Sequence, residues 1–204
     1  MKIFLIRHGE TSWNKAQRCQ GLTDIELNEM GLKQAHALAQ SLKEDGFKAI
    51  YSSPLKRAIE TARLIADCHG LEVRVEPSLK EMNQGELEGL TYLQLLNDHR
   101  EFLQEWIENP DAVKMPQGES LAELQERAWE VINRLSCLHH TQDSVVAVSH
   151  NFTIRVILCK AINLPLKHFR KLAQDVAAKN IIEYGERGWL LSTLNDTCHL
   201  NFVQ

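Results

Sequence analysis

The sequence lacks the marks of several protein classes. Its five cysteines, Cys19, Cys68, Cys137, Cys159 and Cys198, are odd in number, far apart and never spaced Cys-x-x-Cys. That spacing argues against a disulfide framework and a zinc knuckle. No apolar run approaches the ~18 residues that a transmembrane helix needs. The N-terminal apolar stretch, Ile3 to Ile6, is too short for a signal peptide and ends in charge, so a reducing cytoplasm is the expected compartment. Nor is there a basic excess: the net charge is −4. That argues against a nucleic-acid partner and against an anionic membrane surface, and any phosphate site must be a local concentration of arginine. Repeats, low-complexity tracts and linkers are also missing. The 204 residues, 44% hydrophobic and 25% charged, therefore read as one globular domain over 1–204.

What the chain does have is concentrated at its start. The run Ile3 to Ile6 ends abruptly in Arg7, His8 and Gly9, followed by Glu10 and Thr11. Four apolar residues with β-branched ends suit a strand buried on both faces. Arg7 and His8 then stand at the carboxyl end of that strand, where open α/β sheets bind ligands. Gly9 permits a tight turn there. From Thr11 to Asn28 the chain is polar and irregular, and a loop this long inside a compact domain is usually functional.

Helical spacing of Leu32, Ala35, Leu38, Ala39 and Leu42 predicts a helix ended by Gly46, and Ala49–Tyr51 a short second strand. Ser53 is a good N-cap and Pro54 a good first residue for the next helix, which runs to Gly70. Arg57 falls in or near its first turn. A cation there is disfavoured by the helix dipole, by a few tenths of a kcal/mol, unless an anion shares the site. Glu72–Val75 reads as a third strand. The loop 79–89 carries two glycines and three carboxylates, Glu81, Glu86 and Glu88. A helix is expected from Thr91 to about Glu108, stopped by Asn109-Pro110, and another after the capping box Ser120-x-x-Glu123. Its end, His139-His140, reads as a solvated helix terminus rather than a metal site. Ser144–Val148 is a second buried strand and ends in Ser149-His150-Asn151. A helix over about 152–162, a solvated basic segment over 167–171, and a hairpin of 180–184 with 188–194 complete the chain. The expected fold is α/β: a three-layer sandwich with a mostly parallel central sheet and helices on both faces.

Two buried strands thus end in histidine, one with an arginine beside it, and a second arginine opens a nearby helix. Brought together on one sheet edge, this set suits phosphoryl transfer. Arginines offer planar, bidentate donors to phosphate oxygens, and a neutral imidazole can attack phosphorus and carry it as phosphohistidine. A carboxylic acid is then needed to protonate the leaving oxygen.

Leu5-Ile-Arg-His-Gly-Glu-Thr11, extended by Trp13-Asn14, resembles the signature of the histidine phosphatase superfamily, the phosphoglycerate mutase-like proteins. The resemblance runs over nearly the whole chain, through Ser52–Ala62, Leu79–Gly89, Gly118–Ser120, Val146–His150 and Leu194–Leu200, in order. It implies that His8 is the phosphorylated nucleophile and that Arg7, Arg57 and His150 complete the phosphate pocket. It implies Glu81 as the general acid and base, with Glu86 and Glu88 as alternatives in the same loop. Asn14, Gln20 and Gly21 match positions that line phosphate and substrate. Asn151 stands where glycine is commonest, and its side chain narrows that wall. The resemblance implies no metal and no cofactor, since the arginine and histidine donors take that part.

The expected activity is metal-independent hydrolysis of a small phosphomonoester, a small phosphorylated metabolite being the partner. One rival is a phosphoglycerate mutase dependent on 2,3-bisphosphoglycerate. Mutases that resemble this signature carry an inserted segment after the acid loop, whereas the stretch from Gly89 to Gly118 is short, which favours hydrolysis. The other rival is a non-catalytic phosphate-binding module, for which one of the four pocket residues should have been lost. If the chain is not a monomer, a two-fold homodimer is the default.

Overall fold

The computed structural model describes residues 1–201 and 203; Phe202 and Gln204, at the end of the expected 1–204 unit, lie outside the described residues. The strands are β1 (Lys2–Arg7), β2 (Phe47–Ser52), β3 (Val73–Val75), β4 (Ser144–Ser149), β5 (Lys179–Gly185) and β6 (Gly188–Asp196). The helices are α1 (Ser12–Lys15), α2 (Glu29–Ser41), α3 (Lys56–His69), α4 (Tyr92–Asp98), α5 (Arg100–Glu108), α6 (Leu121–Leu138) and α7 (Asn151–Ala161). The strands form one sheet in the order β3-β2-β4-β1-β5-β6. Pairs β3–β2, β2–β4 and β4–β1 are parallel, whereas β5 and β6 run antiparallel at one side. The expected hairpin is therefore also the sheet's extension: β5 pairs with β1 along its length.

Side chains alternate across a strand, and β1 uses both faces. Ile3 and Leu5 enter a core with α6 and α7, built on Leu121, Leu124, Val131, Ile154 and Leu158. Phe4 and Ile6 enter a second core with α2 and α3, built on Leu38, Leu42, Ala58, Ala62 and Ile65. The result is the three-layer α/β sandwich, and it explains why β1 and β4 read as unbroken apolar runs. Among the described residues no helix is long and apolar enough to cross a membrane.

The β1–β4 register sets Arg7 opposite Ser149, so His8 and His150, one residue further on each strand, emerge side by side. On the other side of β4, Ser52 pairs with Val148, which brings Ser53 to the same edge.

Several local expectations change. The polar loop after β1 holds one helical turn, α1, closed by a capping box between Thr11 and Asn14. Helix α2 ends at Ser41, five residues before Gly46, and Leu42 to Asp45 turn back instead. Helix α3 starts at Lys56, later than expected: its N-cap residue Leu55 makes no side-chain bond, Asp24 Oδ1 accepts from Lys56 N at 2.7 Å instead, and the Ser53 hydroxyl also meets His150. Its end at Gly70, in the left-handed region at φ 61°, is as expected. The helix expected over 91–108 is two, broken at His99. The capping box at Ser120 and Glu123 forms and the stop at Asn109 holds. His139 is not a solvated terminus: its Nε2 lies 2.9 Å from the Tyr51 hydroxyl. Nor is the basic segment fully solvated, since Arg170 lies over the Trp106 ring at 5.0 Å and donates to the Ile107 carbonyl.

Two glycines fix the turn that follows β1. A Cβ on Gly9 would stand 2.4 Å from the Gly31 carbonyl oxygen, and one on Gly31 would stand 2.0 Å from the Glu10 carbonyl oxygen. The start of α2 thus lies directly on the backbone of the His8 turn. Gly31→Ala is expected to destabilise by about 1–3 kcal/mol through overpacking, a fall in melting temperature of several degrees. Gly46→Ala, with nothing within 4 Å of the new methyl, is the control. Equal shifts in the two melting curves would overturn this packing account.

Candidate functional site

The carboxyl edge of the parallel strands opens into a cavity of about 280 Å³. Its floor and near wall carry Arg7, His8, Asn14, Gln20, Arg57 and Glu81, and Asn151 joins them from the start of α7. His150 stands beside His8, the ring centroids 5.1 Å apart. Gly21 does not line the cavity; its carbonyl holds Arg57 instead. The outer wall is lined by Tyr92 and Leu95 of α4, Phe152 of α7, and Gln17, Arg18, Cys19 and Gln84.

His8 is buried, and its backbone is held on both sides, donating to Ser149 O and accepting from Ala177 N. Its Nδ1 lies 2.7 Å from the Gly9 carbonyl oxygen. A carbonyl only accepts, so Nδ1 carries the hydrogen and Nε2 keeps the lone pair. Burial holds the His8 pKa well below the ordinary histidine value, and the Arg57 and Arg7 charges push it the same way. The same burial, with Arg57, His8, Arg7 and Arg127, lowers His150. Both rings are therefore neutral at neutral pH.

His150 Nε2 lies 2.7 Å from Ser53 Oγ, while its Nδ1 is buried without a partner. Ser53 Oγ already accepts from Leu55 N at 3.3 Å. A hydroxyl accepts up to two bonds, so this contact fits either tautomer; with the hydroxyl hydrogen on His150 Nε2, the imidazole hydrogen is on Nδ1. Sequence reading gave Ser53 to the helix as a cap; the structure gives it to the histidine.

The two arginines are held by carbonyls rather than by carboxylates. Arg7 Nη1 donates to Gln174 O. Arg57 Nη1 and Nη2 donate to Thr23 O and Gly21 O at 2.8 and 2.9 Å. Each keeps a buried Nε with no partner. Of the five guanidinium hydrogens, Arg57 retains three for an anion. Burial pulls the Arg7 pKa down to about 10, opposed chiefly by Glu81. It also lowers Arg57, opposed by Glu81, Asp24 and Glu88.

Of the three loop carboxylates, Glu81 alone lines the cavity. Glu86 pairs with Gln117 on the exposed side, and Glu88 is engaged by Leu22 and Thr23. Glu81 accepts from Met82 N at 2.9 Å and from the first turn of α7, Phe152 N and Thr153 N at 3.2–3.3 Å. It thus caps a helix whose own N-cap residue, His150, offers no side-chain cap. Arg127 of α6 holds this loop by donating to the carbonyls of Ser78, Lys80 and Glu81.

Asn14 and Gln20 are oriented from behind by Thr11. Asn14 Oδ1 accepts from Thr11 N, and both amide oxygens lie within 3.1 Å of the buried Thr11 hydroxyl. Their NH₂ groups are thereby the ends left for the cavity. The set gathers Arg7, Arg57, Asn14, Gln20 and Glu81 around His8, with His150 buried beside it. Such donors about an unprotonated nitrogen suit a phosphate-like anion.

The family model of the histidine phosphatase superfamily (branch 1) matches residues 3–197. Phosphoserine phosphatase 1 of Hydrogenobacter thermophilus is 37% identical over 200 residues, covering 98% of this chain and 94% of that protein. A probable phosphoglycerate mutase, GpmB, of Yersinia pestis is 33% identical over 207 residues, covering 98% and 95%. Among solved structures, a mutant phosphoserine phosphatase from Entamoeba histolytica in complex with phosphoserine superposes with a TM-score of 0.87 at 31% identity, covering 98% of each chain. With two histidines at adjacent strand ends, two arginines about them and a match over nearly its whole length, the chain belongs to the histidine phosphatase superfamily, branch 1.

Proposed function

We propose that this protein hydrolyses a small phosphomonoester in two steps through phospho-His8, with Glu81 as acid and then base. The observation that carries the reading is the Nδ1 contact of His8 with the Gly9 carbonyl, which leaves Nε2 as a lone pair facing a ring of phosphate donors. The phosphate dianion takes the free hydrogens of Arg7 and Arg57, the amides of Asn14 and Gln20, and Nδ1–H of His150. His8 Nε2 attacks phosphorus as the ester P–O bond breaks, and the leaving oxygen takes a proton from the Glu81 carboxyl. Glu81, now a carboxylate, accepts a proton from the water that attacks phospho-His8. Phosphate departs and neutral His8 returns with its hydrogen still on Nδ1. The arginines and dipoles stabilise the charge on the phosphoryl oxygens throughout.

The substrate is a small phosphorylated metabolite. A cavity of about 280 Å³ holds a phosphate and a leaving group of amino-acid or glycerate size. The relatives named for phosphoserine and for phosphoglycerate mutase support that class.

The first test is phosphate release over a panel of phosphomonoesters, with 3-phosphoglycerate isomerisation followed with and without 2,3-bisphosphoglycerate. Release concentrated on one compound is expected, and isomerisation with little release would make the protein a mutase. His8→Ala should lose turnover by about 10³-fold or more, together with any acid-labile phosphoenzyme; near-normal activity would sink the mechanism. Glu81→Gln should slow esters of poor leaving groups by about 10²–10⁴-fold and spare an activated aryl phosphate, whereas equal loss for both would move the acid elsewhere. In the ligand-free protein, ring nitrogen NMR should find His8 as the neutral Nδ1–H tautomer at pH 6, below the ordinary value of 6.5, because its folded pKa is depressed. An imidazolium signal at that pH would contradict the electrostatic account.

A further inference from the structure

Glu88 was an alternative acid on sequence grounds, yet its carboxylate faces away from the cavity and is fully engaged. Oε1 accepts from Leu22 N at 2.8 Å. Oε2 accepts from Thr23 N at 2.9 Å and from the Thr23 hydroxyl at 2.5 Å. Gln84 N adds a longer contact at 3.4 Å. The proposed chemistry uses none of these bonds.

Their meaning lies on the far side of the same backbone. The Leu22 N–H belongs to the peptide unit whose oxygen is the Gly21 carbonyl, and that oxygen accepts from Arg57 Nη2 at 2.9 Å. A trans peptide is planar, with C=O and N–H pointing in opposite directions. One rigid plate therefore stands between the Arg57 cation and the Glu88 anion, its oxygen on the guanidinium and its hydrogen on the carboxylate. A hydrogen bond at one end polarises the unit and strengthens the one at the other. Thr23 adds a looser link: its N–H goes to Glu88, and its carbonyl, in the next peptide unit, accepts from Arg57 Nη1 at 2.8 Å. Gly21 leaves room for this. Its φ is +51°, and a Cβ there would stand 2.0 Å from Glu88 Oε1. Glu88 is also among the carboxylates that offset the burial of the Arg57 charge.

We propose that Glu88 is a positioning residue for the phosphate site: acting through the Gly21–Leu22 peptide and Thr23, it sets where Arg57 presents its free hydrogens. The proposal rests on the reading that the cavity takes a phosphoryl group. A neutral amide cannot replace the carboxylate, because it offers one acceptor oxygen, and its NH₂ would face N–H donors.

The test is a double-mutant cycle read by inorganic phosphate binding and by KM and kcat for the best phosphomonoester, in wild type, Glu88→Gln, Arg57→Ala and the double variant. Glu88→Gln is expected to weaken phosphate about ten-fold and raise KM, with little further loss when Arg57 is already alanine. Unchanged phosphate affinity in Glu88→Gln would overturn the proposal. So would an equal loss in the Arg57→Ala background, which marks a plain loop staple. Should Glu88→Gln not fold by circular dichroism, Glu88→Asp, which keeps the charge one methylene short, decides on the same readouts. Wild-type protein that binds no phosphate would instead defeat the functional reading, which separates the two failures.

Discussion

The site depends on one pairing, that of β1 with β4. Arg7 lies opposite Ser149, and the two histidines follow as neighbours because both strands end at the same level of the sheet. The register is held along six residue pairs, and each strand sends alternate side chains into two different cores. A slip by one residue would exchange those faces and separate His8 from His150. Packing that has no chemistry of its own thus sets the spacing of the rings. Every other pocket element reaches this edge from elsewhere: Ser53 from the end of β2, Arg57 from α3, Glu81 from the loop that Arg127 holds.

The electrostatics of the pocket serve two ends with the same groups. Arg7 and Arg57 are cations for an anionic substrate, and their charge together with burial keeps His8 and His150 unprotonated. A positive field that suits a phosphate dianion also suits a neutral nucleophile, since protonating the imidazole would add a like charge. Holding the guanidinium groups by carbonyls leaves them without a carboxylate in direct contact, and Glu81, Asp24 and Glu88 act on Arg57 only from a distance. Full salt bridges would have spent the arginine charge.

Much of this was legible in the chain. Apolar runs that end in histidine gave the two central strands and the edge at which they stop, because burial on both faces removes the polar alternation of a surface strand. The signature around Arg7 and His8, and the order of later segments, named most of the residues that line the cavity, but not that Gly21 holds Arg57 by its carbonyl instead. What could not be read was work done by the backbone. Any residue at 23 or 174 has a carbonyl, so nothing in the identity of Thr23 or Gln174 announces an arginine partner. Ser53 before a proline reads as a helix cap by local rules, and only the position of β4 turns its hydroxyl to His150. Local chemistry alone does not separate Glu81 from Glu86 and Glu88; the resemblance favoured Glu81, and what each carboxylate faces sets them apart. The break at His99 has no glycine or proline to mark it.

The wall of the cavity is built differently from its floor. Tyr92 and Leu95 belong to α4, seven residues long, which ends at His99 and contributes no strand to the sheet. The edge that carries Arg7 and His8, by contrast, is tied to both cores. Replacement of the α4 segment would alter the shape of the cavity while that edge stayed in place. Divergence of substrate within a single catalytic design therefore needs only a short exchangeable panel, and selection can act on that panel without re-inventing the reaction.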